Sequence, residues 1–122
     1  MDTLYFGARP SRSLTQALEK VGHRLVHASY KDGILSSVST AAVVLHWKSR
    51  KDQRVIEEAK SLGLPVLVIT SKLAAALQAG EPQAEIYLEH SADPEEVAPL
   101  LMDLIAAKQN PGRADSAAAQ IA

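Results

Sequence analysis

The sequence predicts an α/β domain in which five parallel strands form one sheet with helices on both faces. Two observations support this fold class. Short apolar runs alternate with longer stretches of helical periodicity, and this unit occurs five times within residues 3–108. Such alternation implies right-handed crossovers between parallel strands. A chain of 122 residues is long enough for one domain with a single sizeable core.

The predicted strands are short apolar runs. Residues 41–45 and 65–69 are apolar throughout, which is typical of central parallel strands that are covered on both faces. In chain order the five predicted strands include residues 4–6, 25–26, 41–45, 65–69 and 86–88.

Helical periodicity fills the segments between these runs, at residues 11–21, 51–62, 72–79 and 93–108, with a short helix inside residues 30–38. Gly22, Gly63 and Gly80 follow the first three of these patterns as C-caps. The last helix opens with Asp93 as N-cap and Pro94 at the first helical position. Pro99 lies inside this helix and can kink its second turn.

Five such units fit a flavodoxin-like arrangement with the strand order 2-1-3-4-5. The domain is expected to cover residues 1–108. Residues 109–122 contain Pro, Gly, Ser and five alanines, and they are predicted to be a flexible tail or an interdomain linker.

Composition excludes several classes of protein. The net charge of −1 provides no general attraction to nucleic acid or to a membrane surface, and an aromatic share of 4% does not favour a base-stacking platform. The chain has no cysteine and no apolar run long enough for a membrane span. We therefore expect a cytoplasmic protein that neither binds DNA nor inserts into a membrane.

Residues 86–97 combine a Tyr-Leu pair in the last strand with an Asp-Pro-Glu-Glu helix start. This pattern resembles the last strand and last helix of response-regulator receiver domains. Residues 18–26, the pair Asp32-Gly33 and residues 64–71 are similar to earlier parts of the same family, in the same order. The resemblance covers residues 3–108 and implies the fold predicted above.

The resemblance also implies a reactive set, which this chain lacks. Receivers hold Mg²⁺ with two acidic residues after strand 1, accept a phosphoryl group on an aspartate ending strand 3, and pair it with a lysine ending strand 5. The corresponding residues here are Gly7 and Ala8, then His46 to within about one residue, then His90. Only Thr70, which ends strand 4, matches the family. The chain is thus predicted to be a non-enzymatic pseudo-receiver that is not phosphorylated.

Thr70 and Tyr87 occupy the positions of the threonine and aromatic residue that move together in receivers. They are predicted to form a retained two-state switch. The alternative is that Tyr87 only packs on a half-buried strand.

A basic rim is predicted around the former phosphorylation site, because the segments after strands 1 and 3 carry Arg and Lys but no acid. These residues could bind an anion such as a cyclic dinucleotide of the cyclic di-GMP type, with Arg9 and Arg50 gripping phosphate and Trp47 stacking on a base. The alternative is a solvated loop. The candidate residues are Arg9, Arg12, Trp47, Lys48, Arg50 and Lys51.

The predicted function is regulation by protein contact. The partner would be a histidine kinase core, a true receiver or an output domain, in the same or another protein. The resemblance implies a docking face formed by residues 72–79, the last strand and residues 97–107. Alternatives are a dinucleotide sensor that uses the basic rim and a stand-alone flavodoxin-like enzyme, for which no catalytic set is evident. No metal or other cofactor is expected, since His46 and His90 alone make a weak metal site.

Overall fold

A computed structural model of the chain describes residues 2–7, 10–37, 40–80 and 83–109. These residues form one all-parallel sheet in the order β2-β1-β3-β4-β5, which confirms the predicted flavodoxin-like α/β fold. The strands are β1 (Asp2–Phe6), β2 (Arg24–Ala28), β3 (Ala42–His46), β4 (Val66–Thr70) and β5 (Ile86–Glu89).

The helices begin and end close to the predicted positions. Ser11 caps the first helix by accepting a hydrogen bond from the Leu14 N–H at 3.1 Å, and Asp93 caps the last by accepting one from the Glu95 N–H at 3.0 Å. No helix in the described part of the chain is long and apolar enough to cross a membrane. The helices are α1 (Arg12–Lys20), α2 (Ile34–Ser37), α3 (Gln53–Ser61), α4 (Leu73–Gln78) and α5 (Pro94–Gln109).

Two segments differ from the prediction. The helix predicted at residues 51–62 starts as a 3-10 turn at Arg50–Asp52, and regular α-helix begins only at Gln53. The last helix ends at Gln109, the first residue of the predicted tail, and the rest of that tail lies outside the described residues.

The core lies in two layers, one on each face of the sheet. The first layer packs under α1 and α5, and the second packs under α2, α3 and α4. Neighbouring strand residues alternate between them, so that Tyr5 belongs to the first layer while Leu4 and Phe6 belong to the second. The central strand β4 is buried throughout, as expected for a strand covered on both faces. The strand predicted to be buried at residues 86–88 is only half-buried, because β5 is an edge of the sheet.

The carboxylate of Glu58 on α3 holds the segment that precedes α2. It accepts hydrogen bonds from the Gly33 and Leu35 N–H groups, each at 2.7 Å, and from the Tyr30 hydroxyl at 3.1 Å. Burial raises the pKa of Tyr30 to about 12, and the hydrogen bond to Glu58 adds to that rise. One side chain thus satisfies backbone donors at the start of a helix that is too short to be stable alone.

Replacing Glu58 by Gln is expected to destabilise the domain by about 2 kcal/mol, because an amide cannot accept all three of these hydrogen bonds. The matched control is Glu57→Gln, since Glu57 is exposed and its side chain makes no hydrogen bond with the described residues. Urea-induced unfolding measures both changes. Equal stability of the two variants would show that the Glu58 contacts contribute no net stability.

Candidate functional site

Four of the predicted site residues meet at the carboxyl edge of the sheet. His46 and Thr70 end β3 and β4, while Gly7 and His90 directly follow β1 and β5. Because parallel strands all end at this edge, the fold brings these residues together, as the resemblance implies. Ala8 and Arg9, which complete the predicted set around β1, lie outside the described residues.

At Gly7 the backbone that leaves β1 lies close to His46 at the end of β3. The φ of Gly7 is +106°, and a Cβ built on it would lie 2.8 Å from both the Cβ and the carbonyl oxygen of His46. No ordinary side chain fits at that distance, and the positive φ disfavours one in any case. An acidic residue at this position would therefore require β1 and β3 to move apart. The carbonyl of Gly7 also accepts a hydrogen bond from Nε2 of His27 at 3.0 Å.

A pocket of about 190 Å³ opens beside this contact, between the beginnings of α1 and α5. Its floor consists of four residues from the first core layer, and its mouth carries polar side chains from the ends of β3 and β5. The lining residues are Tyr5, Ser11, Leu14, His46, Ile69, Glu89, His90, Ala92, Pro94 and Val97.

His46 is a perturbed group at this pocket. Its Nδ1 is buried and has no hydrogen-bond partner among the described residues. Burial lowers the pKa of His46, and the positive charges of Lys48 and His90 lower it further, while Asp52 opposes the shift. The imidazole is therefore neutral at neutral pH. The described residues contain no group of three or more His, Asp or Glu that could hold a metal ion.

Thr70 is fully buried and both of its hydrogen-bonding functions are used. Its hydroxyl donates to the Trp47 carbonyl at 2.8 Å and accepts from the Lys72 N–H at 2.9 Å. Tyr87 packs half-buried against the second core layer, and its hydroxyl accepts from the Ala84 N–H at 3.0 Å, ahead of β5. The structure thus gives Tyr87 a packing role, and a coupled Thr70–Tyr87 switch stays a prediction.

The basic rim is exposed but contains an acid that the sequence analysis did not include. Lys48, Arg50 and Lys51 are exposed after β3, and Arg12 is exposed at the start of α1. The carboxylate of Asp52 accepts hydrogen bonds from the Lys48 and Ser49 N–H groups at 2.6 and 3.1 Å. This bond pattern shapes the loop and places a negative charge among the cations.

Trp47 does not belong to this rim. It is only 3% exposed, packs in the second core layer, and donates a hydrogen bond from Nε1 to the Gln53 side chain at 3.2 Å. The buried indole offers no face to a base, so the stacking role predicted for Trp47 is wrong.

Sequence reasoning missed two contributions to the site. Lys72 adds a cation, with its Nζ 3.5 Å from the Lys48 carbonyl oxygen. The apolar pocket floor was also missed, because Tyr5, Leu14, Ile69 and Val97 have the sequence pattern of ordinary core residues. Only the juxtaposition of strand ends with two helix starts distinguishes them from the rest of the core.

Comparisons with known proteins give no family assignment: no family model matches this sequence, and no curated protein matches it. The functional argument therefore depends on the fold and on the geometry of the site.

The close approach of Gly7 to His46 can be tested with a pair of alanine variants. Gly22 also has a positive φ, +81°, but a Cβ there would meet no atom within 4 Å. Both Gly7→Ala and Gly22→Ala pay the backbone cost, and only Gly7→Ala adds the overlap with His46, which we expect to cost about 1–3 kcal/mol more. Urea-induced unfolding measures the difference. Equal losses would mean that β1 and β3 separate freely at this edge.

Proposed function

We propose that this domain is a receiver-like signalling module that accepts no phosphoryl group and regulates a partner by direct contact. The partner would be a histidine kinase core, a true receiver or an output domain. The observation that carries the proposal is the replacement of the reactive positions within a retained parallel sheet. Gly7, His46 and His90 stand at the strand ends where receivers have carboxylates and a lysine.

Aspartyl phosphorylation requires a carboxylate nucleophile and oxygen ligands for Mg²⁺. The Gly7–His46 contact leaves no space for a carboxylate side chain at position 7. The nearby Asp52 carboxylate is engaged by two backbone N–H groups, and Glu89 is exposed at the end of β5, an edge strand. Neither replaces an acceptor at the end of β3. The arrangement favours signalling without phosphoryl chemistry.

A contact surface is available on α4, β5 and α5. Leu77 on α4 is 46% exposed, next to the exposed alanines Ala74 and Ala75. The edge strand β5 adjoins α4, while Leu100 and Leu104 on α5 are half-buried on the other face of the sheet, packed against the first core layer. Small and apolar side chains on one face allow close approach of a protein partner.

The cyclic-dinucleotide alternative has one observation in its favour. Lys48, Arg50, Lys51 and Lys72 are exposed around the carboxyl edge and could bind phosphate groups. Two observations weigh against it. Trp47 is buried, and the pocket of about 190 Å³ is smaller than the roughly 300–1,000 Å³ that is usual for drug-sized ligands. A dinucleotide would therefore lie on the surface of this site.

Replacing Leu77 by Asp is expected to prevent docking, because a charge in the middle of an apolar contact is not compensated. A photo-cross-linking residue at position 75 would capture the partner in cells, and mass spectrometry would identify it as a protein of a two-component system. Leu77→Asp should lose this cross-link. Val21→Asp and Leu62→Asp are matched controls, since these residues are 46% and 45% exposed at the ends of α1 and α3.

Equal cross-linking in all three variants would contradict docking through α4. Phosphorylation is tested separately by NMR with Mg²⁺ and beryllium fluoride, which should leave the Gly7, His46 and Thr70 resonances unchanged. Shifts there would show a working receiver. Saturable shifts of Lys48 and Lys72 with cyclic di-GMP, without any cross-link from α4, would favour the dinucleotide alternative.

A further inference from the structure

The pocket between α1 and α5 has an apolar floor of defined size. Tyr5, Leu14, Ile69 and Val97 belong to the first core layer and are each buried, yet they also line the pocket. An apolar cavity of about 150 Å³ is enough to hold benzene. At about 190 Å³, this pocket can hold one ring or branched chain together with a small polar group.

The mouth of the pocket has hydrogen-bonding capacity that the described residues do not use. The imidazole of His46 lines the mouth and makes no side-chain hydrogen bond with the described residues. The Ser11 hydroxyl accepts from the Leu14 N–H, which leaves its own proton to donate. His90 lines the same mouth. A ligand with a polar group at this mouth would supply hydrogen bonds that these side chains do not make with one another.

Charges of both signs surround the mouth, so the hydrogen-bond donors there are what suit it to an anionic group. Lys48 and His90 act on His46 as positive charges, and Asp52 acts on it as a negative one. Asp52 is occupied by the Lys48 and Ser49 N–H groups, and Glu89 is exposed at the rim. An anion bound next to a neutral imidazole raises the pKa of that imidazole, which then takes up a proton and pairs with the anion.

We propose that this pocket binds a small monocarboxylic acid, with its apolar body on Tyr5, Leu14, Ile69 and Val97 and its carboxylate at His46 and His90. The site goes beyond the docking function and does not depend on it. A single negative charge suits a pocket whose floor is apolar, because a phosphate dianion would lose more hydration on entering it.

Binding of a carboxylate should be linked to protonation of His46. Lowering the pH from about 8 to about 6 increases the protonated fraction of this imidazole, while a carboxylic acid with a pKa near 4 stays ionised over the whole range. The protonated site attracts the anion more strongly. Affinity is therefore expected to rise as the pH falls, until the ligand itself becomes protonated.

The test is an NMR titration of the full chain with benzoate at about pH 6 and about pH 8, with benzamide as the neutral ligand of the same shape. Saturable shifts are expected at Tyr5, Ser11, Ile69 and His90. If binding raises the His46 pKa by one unit, benzoate binds about tenfold more tightly to the protonated form. Benzamide should bind more weakly and without pH dependence.

Two variants make the site assignment specific. His46→Gln should weaken benzoate binding and reduce its pH dependence. Ala92→Phe should fill the pocket mouth and abolish the shifts, whereas Ala75→Phe, an exposed alanine on α4, should leave them unchanged. Absence of saturable shifts at both pH values would overturn the proposal. Equal binding of benzoate and benzamide would also overturn it, and so would an unchanged pH dependence in His46→Gln. These two outcomes decide the proposal even if Ala92→Phe does not fold.

Discussion

The contact between Gly7 and the end of β3 sets the spacing of the carboxyl edge of the sheet. The backbone turns away from β1 at Gly7, which has a positive φ and directly follows Phe6. A Cβ on residue 7 would lie only 2.8 Å from the Cβ of His46, so no larger residue fits there. His46 lies beside Gly7 and lines the pocket at this edge. The close approach excludes a side chain at position 7, while burial and the nearby charges of Lys48 and His90 keep the imidazole neutral.

Backbone hydrogen bonds continue the sheet beyond the strands and keep this edge ordered. The Trp47 N–H donates to the Ile69 carbonyl and the His90 N–H donates to the Thr70 carbonyl, each at 3.0 Å. Pairing thus extends one residue past β3 and past β5. The side chains of His46 and His90 are therefore presented from paired backbone rather than from free loops, which gives the pocket a fixed shape.

The sequence was sufficient for the architecture, because continuous apolar runs at residues 41–45 and 65–69 have few interpretations other than central parallel strands. It was less informative about side-chain direction after a strand. Trp47 follows His46 and precedes seven polar residues, so it has the pattern of an exposed loop residue, yet the continued pairing turns it into the second core layer. The roles of Glu58 and Asp52 also depend on contacts that a charged residue on a helical pattern does not reveal.

The hydroxyl of Thr70 connects the pocket edge to the start of the surface helix α4 through hydrogen bonds. One oxygen atom joins the backbone that leaves β3, at Trp47, to the backbone that enters α4, at Lys72. The beginning of α4 therefore cannot be displaced without either breaking this bridge or pulling on the residue next to His46. We therefore expect movements of the start of α4 and of the backbone next to His46 to be correlated through this one oxygen atom.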